Sequence, residues 1–313
     1  MANPADRAAP WVDLPPELTA NILQRLSAVD IFHSAQVCSA WRRLCEDPSM
    51  WRYVELWNPA GKEREWDKIC RAVVNRSEGQ LISIKLGSFA TDDLLFYIAQ
   101  RAKQLRHLGI WCNYVSDEGF IKAVNELPLL EGLQIKHCCA ISKRGIEAAG
   151  RSCPFLNSFN FFMVSENVNR PYDGEAIAIA ENMRGLKHLR LYGNKMTDKG
   201  VEAILDACPS LQSLSIVHCN HVRLEGELGK RCSQQIEDLN YIQKPRMGAK
   251  QLRHLVIRSN HVSDEGFSKA VNEFPLLEEL QLEHCAISKQ GIEAAGSSDE
   301  EAVAIAENMH GLN

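Results

Sequence analysis

Seven times along this chain a leucine opens the same short pattern, Leu-x-x-Leu/Phe-x-apolar: at Leu105, Leu130, Leu156, Leu186, Leu211, Leu252 and Leu277. Most neighbouring starts lie about 25 residues apart. A unit that short cannot bury its apolar face alone, so the period forces a stack in which neighbours supply each other's core. A first, less regular copy starts at Leu81. Within the first full unit, Leu105, Leu108 and Ile110 are expected to point inward from a short strand. Val115 and Asp117-Glu118-Gly119 are expected to turn the chain. A helix from Phe120 to Glu126 then carries Ala123 and Val124 into the core, and Leu127-Pro128 stops it. Such units predict an α+β chain whose repeats build an α/β solenoid, with parallel strands on the concave side and helices on the convex side.

The eighth residue after each opening leucine is Asn113, Cys138, Asn194, Cys219, Asn260 or Cys285 in six units, and Val164 in the remaining one. This Asn/Cys alternation at one place resembles the leucine-rich repeat. It also decides how His137-Cys138, His218-Cys219 and His284-Cys285 are read. Singly, each pair looks like a set of metal ligands. Recurring at one repeat position, they become stacked turn residues in which Cys acts as a small buried hydrophobe. No Cys-x-x-Cys pair and no zinc-type ligand spacing occurs, so neither a metal nor a cofactor is expected. Cys153-Pro154 and Cys208-Pro209 mark helix ends before the next strand. The eleven cysteines are an odd number in a chain that is neither small nor opened by a secretion signal, which predicts reduced thiols.

Residues 11–56 follow a different pattern. Pro15 and Pro16 suit a first helical turn, and Leu18, Ile22, Leu23 and Leu26 then form an apolar stripe. Ser27 and Asp30 suit the cap of a second helix carrying Ile31, Ala35 and Val37. A third helix, Ser39 to Glu46, carries Trp41 and Leu44 before Asp47-Pro48 breaks it, and Trp51 begins another short turn. About 45 residues bury a core only marginally by themselves, so part of this surface must be covered by a partner or by the following repeats.

The runs Leu14-Pro15-Pro16-Glu17-Leu18, Ile22-Leu23-Gln24-Arg25-Leu26, Val37-Cys38-Ser39-Ala40-Trp41-Arg42 and Pro48-Ser49-Met50-Trp51 resemble the F-box motif over the whole module. Their wording is most similar to plant F-box/leucine-rich-repeat receptors. The resemblance implies a Skp-type adaptor as partner and, through it, a cullin. It also implies an interface, or support for one, at Leu14, Pro15, Leu18, Ile22, Leu23, Leu26, Val37 and Trp41. Of these, Leu14, Pro15 and Ile22 are the residues expected to touch the adaptor. The function implied is that of a non-catalytic receptor, holding a protein substrate for ubiquitin transfer by other subunits.

The remaining organisation is read from composition and internal similarity. Residues 1–10 form an Ala/Pro-rich tail expected to be disordered. Residues 57–80 form a connector with an amphipathic helix through Trp66, Ile69, Cys70, Val73 and Val74. The repeats proper run over 81–220, an irregular insert over 221–250, and a truncated partial duplicate over 251–313. Residues 251–296 follow 104–150 closely, with one residue deleted beside Cys138-Cys139. With no polar capping repeat visible, 251–313 is expected to pack less firmly than 81–220.

In each strand the positions two, four and six after the opening leucine face outward. The last of these reads Trp111, Lys136, Phe162, Tyr192, Val217, Arg258 and Glu283. Three aromatics and a lysine in one stripe, beside Arg190, His107 and His188, make a candidate substrate surface at Trp111, Lys136, Phe162, Arg190 and Tyr192. Mutual packing of the aromatics, or cover by the C-terminal segment, would account for the same stripe.

Other function classes fare worse. The net charge of −5 disfavours nucleic acid. The apolar runs are too short for a membrane span, and no signal peptide opens the chain, so the nucleus or cytoplasm is the expected location. There is no Gly-rich phosphate loop, no GxSxG elbow and no HExxH, hence no expected enzyme activity. A binding scaffold that assembles no ligase, or an adaptor-occupying remnant, remains the alternative. Small-molecule sensing of the plant hormone-receptor kind would require a longer, closed array with a basic pocket.

Overall fold

The computed structural model describes residues 14–57, 63–111, 114–163 and 170–242, together with the backbone of 254–258 and 279–283. The chain divides into two compact units, residues 1–243 and 244–313. The tail 1–10, Asn113, Val164, Leu252, Asn260, Leu277 and Cys285 lie outside the described residues, as does most of the duplicate.

The first unit opens with three helices: α1 (Pro16–Leu23), α2 (Ala28–Ser34) and α3 (Ser39–Glu46). Pro16 starts α1 where its missing N–H costs nothing. At α2 the Ser27 hydroxyl accepts from the Asp30 backbone N–H and donates to the Asp30 carboxylate, so both expected capping residues act together. Helix α2 ends at Ser34, which leaves Val37 outside it. A 3-10 turn follows over Pro48–Trp51, so Trp51 closes that turn rather than opening one.

From here the chain alternates strand and helix. The elements are β1 (Tyr53–Leu56), α4 (Glu63–Arg76), β2 (Ser83–Leu86), α5 (Asp92–Arg101), β3 (His107–Trp111) and α6 (Asp117–Val124). Next come β4 (Gly132–Lys136), α7 (Lys143–Ser152), β5 (Ser158–Phe162), α8 (Gly174–Asn182) and β6 (His188–Tyr192). The unit ends with α9 (Asp198–Ala207), β7 (Ser213–Val217), α10 (Gly226–Gln235) and β8 (Asp238–Ile242). All eight strands form one parallel sheet in chain order. This is the expected solenoid of parallel strands and stacked helices. Its core is built by the pattern leucines and their partners: Leu105, Leu108 and Ile110 are at most 2% exposed, as are Leu186, Leu189 and Leu191.

Three local expectations are corrected. Asp117-Glu118-Gly119 is not a turn but the first turn of α6, capped by the Ser116 hydroxyl on the Gly119 N–H at 3.0 Å. The sheet begins one strand early, inside the segment assigned to the helical module. Trp51, Val54 and Leu56, all at most 5% exposed, occupy the positions that Leu81, Ile84 and Leu86 occupy in the next unit. A tryptophan there does the job of the opening leucine. The array also continues into 221–250, because Ile236, 4% exposed, replaces the leucine ahead of Leu239 and Tyr241.

In the second unit, β9 (His254–Arg258) and β10 (Glu279–Glu283) pair in parallel with the register of β3 on β4.

Candidate protein-binding surfaces

The N-terminal helices present apolar side chains that their own core does not take. In α1 and its extension, Leu18, Ile22 and Leu26 recur every fourth residue and are 52%, 41% and 41% exposed. Residues four apart share a helix face, so these three line one edge. The next edge round the helix, Thr19 and Leu23, is buried. Val37 is 65% exposed and Pro15 is exposed, while Leu14 and Trp41 are half-buried. Leu23, 1% exposed, therefore belongs to the module's own core and supports the surface without presenting any.

The second surface lies on the sheet face opposite the helices. Register places Trp111, Lys136, Phe162 and Tyr192 side by side on adjacent strands. They touch in sequence. The Lys136 ammonium lies 5.2 Å from the Trp111 ring centroid and 4.9 Å from that of Phe162. The Phe162 and Tyr192 rings stack at 5.6 Å. Trp57, absent from the sequence reading, extends the ladder edge-on to Trp111 at 5.3 Å. It sits six residues after Trp51, the outward position of the unit that Trp51 opens, so the same count would have found it. His137 stacks on Trp111 at 5.5 Å and His218 meets Tyr192 edge-on at 5.1 Å. The aromatics thus do pack against one another, yet the row remains accessible, with Trp111 still 41% exposed.

Arg190 is not part of this ladder. It stands in the neighbouring row, which reads Glu55, Lys85, Gly109, Gln134, Asn160, Arg190, Ser215 and Asn240 across the eight strands. Glu55 and Lys85 form an ion pair at 2.5 Å. Lys136 is held below the usual lysine range by burial first, then by the charges of Lys85 and Arg190. Gly109 and Gly132 leave a depression of roughly 200 Å³ in this face, bounded by Lys85, His107, Gln134 and Asn160.

The His-Cys pairs sit where each strand turns out of the sheet. His137 and His218 both have φ of 55°, the left-handed conformation that Gly193 takes at the same place in the unit opened by Leu186. Cys138 and Cys219 are buried behind them, their thiols directed at main-chain carbonyls of their own and the preceding strand. Among the described residues no three His, Cys, Asp or Glu side chains are grouped to hold a metal ion. Nor is any helix there long and apolar enough to cross a membrane.

Burial pushes the Cys70 and Cys153 thiols up to about 12 and those of Cys208 and Cys219 up to about 11. The thiolate is the reactive form, so at pH 8 these four should react roughly a hundred-fold or more slowly than an ordinary thiol. Iodoacetamide on the native chain is expected to label exposed Cys139 first, with Cys70, Cys153, Cys208 and Cys219 following only on unfolding. Peptide mass mapping over time reads the order; early labelling of Cys219 would contradict its placement.

Comparison with known proteins agrees with both surfaces' settings. The F-box-like family model matches residues 11–56, and a leucine-rich-repeat model matches 183–205 and 250–269. F-box/LRR-repeat protein 23 of Arabidopsis thaliana is 43% identical over 73% of this chain and 52% of its own length. The F-box protein SKIP19 of the same plant is 40% identical over 72% of this chain and 75% of its own. Among solved structures, the yeast Rad7 and Elc1 complex is similar at a TM-score of 0.48 and 11% identity, over 90% of this chain and 79% of that one, too distant to carry an argument. An F-box-like module running directly into a parallel leucine-rich-repeat sheet, with relatives at 40% identity along three quarters of their length, shows that the chain belongs to the F-box/LRR-repeat family.

Proposed function

We propose that the chain is the substrate-recognition subunit of a Skp-cullin-F-box ubiquitin ligase, acting in the nucleus or cytoplasm. The F-box docks a Skp-type adaptor, which in turn sits on a cullin, and the repeats hold a protein substrate for ubiquitination and degradation. The chain itself makes and breaks no bonds; transfer belongs to other subunits. The observation that carries this reading is the apolar edge of Leu18, Ile22 and Leu26, left exposed by a module that buries Leu23, Ile31 and Trp51. Large apolar side chains grouped in water mark a binding site, and an F-box module is one whose family partner is known. The aromatic row on the sheet, exposed at Trp57 and Trp111 and half-buried at Phe162 and Tyr192, supplies the second, separate surface that a receptor needs.

Co-purification of the full chain with a Skp-type adaptor tests it, beside a Leu18→Asp/Ile22→Asp variant. Both side chains are exposed, so the variant should keep its fold by circular dichroism. Charge placed on the centre of an apolar contact is expected to weaken binding about a hundred-fold or more. Undiminished binding by the variant would remove this edge from the interface. No binding by the folded parent would leave a repeat scaffold that assembles no ligase.

A further inference from the structure

Resting on that reading, we propose that the concave face selects an extended acidic segment of its partner protein. One carboxylate seats between Lys136 and Arg190 over Asn160, and a side chain two residues away drops into the depression at Gly109 and Gly132.

Charge is the first ground. Lys85 already has Glu55, and Arg106 has Glu131. Among the described residues no ion pair engages Lys136 or Arg190, although the chain as a whole carries −5. Two cations flanking one strand, with no carboxylate among the described residues paired to either, favour an anion at that place. The Lys136 ammonium is also held, lying between the Trp111 and Phe162 rings, so little freedom is lost when it binds.

Shape is the second. A depression of roughly 200 Å³ is smaller than the pockets of about 300 Å³ and more that enclose whole small molecules. It holds one side chain. At Gly109 the row carries no side chain between Lys85 and Gln134, whereas Gly132 makes room for the His107 ring, whose Nδ1 would stand 2.5 Å from a Cβ there. The backbone does not require glycine at Gly109: a Cβ there would meet the flexible side chains of Lys85, at 3.0 Å, and Gln134, at 3.6 Å, and no main chain. The absence of a side chain is thus a property of the surface and not of the strand.

Spacing is the third. Asn160 lies on β5 and the depression between β3 and β4, a separation of one and a half strand spacings, or about 7 Å. An extended chain covers that in two residues at about 3.4 Å each, and residues two apart point the same way. Gln134, standing between the two points, offers an amide donor and acceptor to the main chain that crosses it. A nucleic acid would need more cations than these two.

The test uses the full chain, immobilised, and three pools of degenerate ten-residue peptides with aspartate, lysine or phosphoserine fixed at one central position. Retention of the aspartate pool over the lysine pool, with apolar residues enriched two positions from the aspartate, is the expected result. Lys136→Glu/Arg190→Glu should lower that retention at least ten-fold. Gly109→Gln, which installs the side chain β4 carries in this row, should remove the apolar enrichment. Capture of a Skp-type adaptor by each variant reports that its fold is intact. Equal retention of all pools, indifference to the charge reversal, or retention of the phosphoserine pool alone would each overturn the assignment. If the parent captures adaptor and shows no selection, the acidic-segment assignment falls by itself. If the folded parent captures no adaptor, the receptor reading falls, and the pools decide the acidic preference independently.

Discussion

Truncating Trp51 to alanine is expected to cost about 3–5 kcal/mol, the range for removing a large buried aromatic, and to loosen the F-box and the first repeats together. Trp51 is 1% exposed, its ring centroid lies 4.8 Å from that of Phe32, and its indole N–H donates to the Cys45 carbonyl at 2.9 Å. Those contacts make it the floor of the helical module. It is also the opening residue of the sheet, since β1 begins two residues later and pairs in register with β2. The 3-10 turn that carries it packs on both α3 and α4. A module of this size has little core of its own, and the shared tryptophan explains how it is held: F-box and repeat array are one cooperative body rather than two beads on a connector.

Urea unfolding followed by far-UV circular dichroism and by hydrogen exchange checks this. In the parent, amides of α1 to α3 and of β1 and β2 should open with the same free energy. In Trp51→Ala all of them should shift together. Separate melting of α1 to α3, with β2 and β3 unaffected, would show that the two parts are independent. Trp51→Phe keeps most of the apolar ring and loses the bond to Cys45, which leaves a buried carbonyl without its donor and should cost about 1–3 kcal/mol.

The same residue explains where reading the sequence stopped short. A period keyed on leucine finds every unit from Leu81 to Leu211, because there the opening side chain is leucine and the next two inward positions are apolar. It passes over the units opened by Trp51 and Ile236, whose side chains fill the same inward place by a different shape. Trp57 was lost with Trp51, since its outward position is counted from it. The outward row from Trp111 to Tyr192 was legible because strand alternation fixes which face each residue takes. The edge of α1 was less so. Helical spacing is ambiguous where apolar residues occupy both faces: Ile22 and Leu23 are adjacent and both hydrophobic, yet only packing within the module, against α3, decides that Leu23 is inside. Gly119 misled for a third reason. Glycine usually marks a turn, but here it sits inside a helix, and its smallness serves a neighbour.

That neighbour is a carboxylate, and Gly119→Ala is accordingly expected to destabilise the chain by about 2–4 kcal/mol. Along the N-terminal ends of the helices runs a chain of acids, each reaching into the next unit. Asp92 accepts from the Ser116 backbone N–H at 2.7 Å and hydroxyl at 2.6 Å. Asp117 accepts from the N–H and hydroxyl of Ser142, and Asp173 from those of Thr197. Asp198 accepts from the Arg223 N–H at 2.7 Å. The first three acceptors fix the cap residue of the following helix, and Asp198 holds the segment just ahead of α10, so that together they set the stacking register of one unit on the next. Room for them comes from the glycine three residues after each cap: Gly119, Gly145 and Gly200.

The distances decide the sign. Glycine to alanine inside a helix ordinarily gains about 1 kcal/mol. At Gly119 the new Cβ would stand 2.0 Å from the Asp92 Cγ and 2.5 Å from its Cβ, so the Asp92 side chain must leave as a whole. Overpacking costs about 1–3 kcal/mol and a lost charged hydrogen bond about 1.5–3 kcal/mol, which together outweigh the helical gain. At Gly145 and Gly200 the closest atom is a carboxylate oxygen at 2.7 Å, with apolar carbons at 2.9 Å, so smaller losses are expected there. A double-mutant cycle isolates the cause. In an Asp92→Gly background neither Cγ nor Cβ remains, and Gly119→Ala should become neutral or stabilising by up to about 1 kcal/mol. An unchanged penalty in that background would mean that the glycine answers to something other than the acid of the preceding unit, and the chain of carboxylates would lose its role in setting the stack.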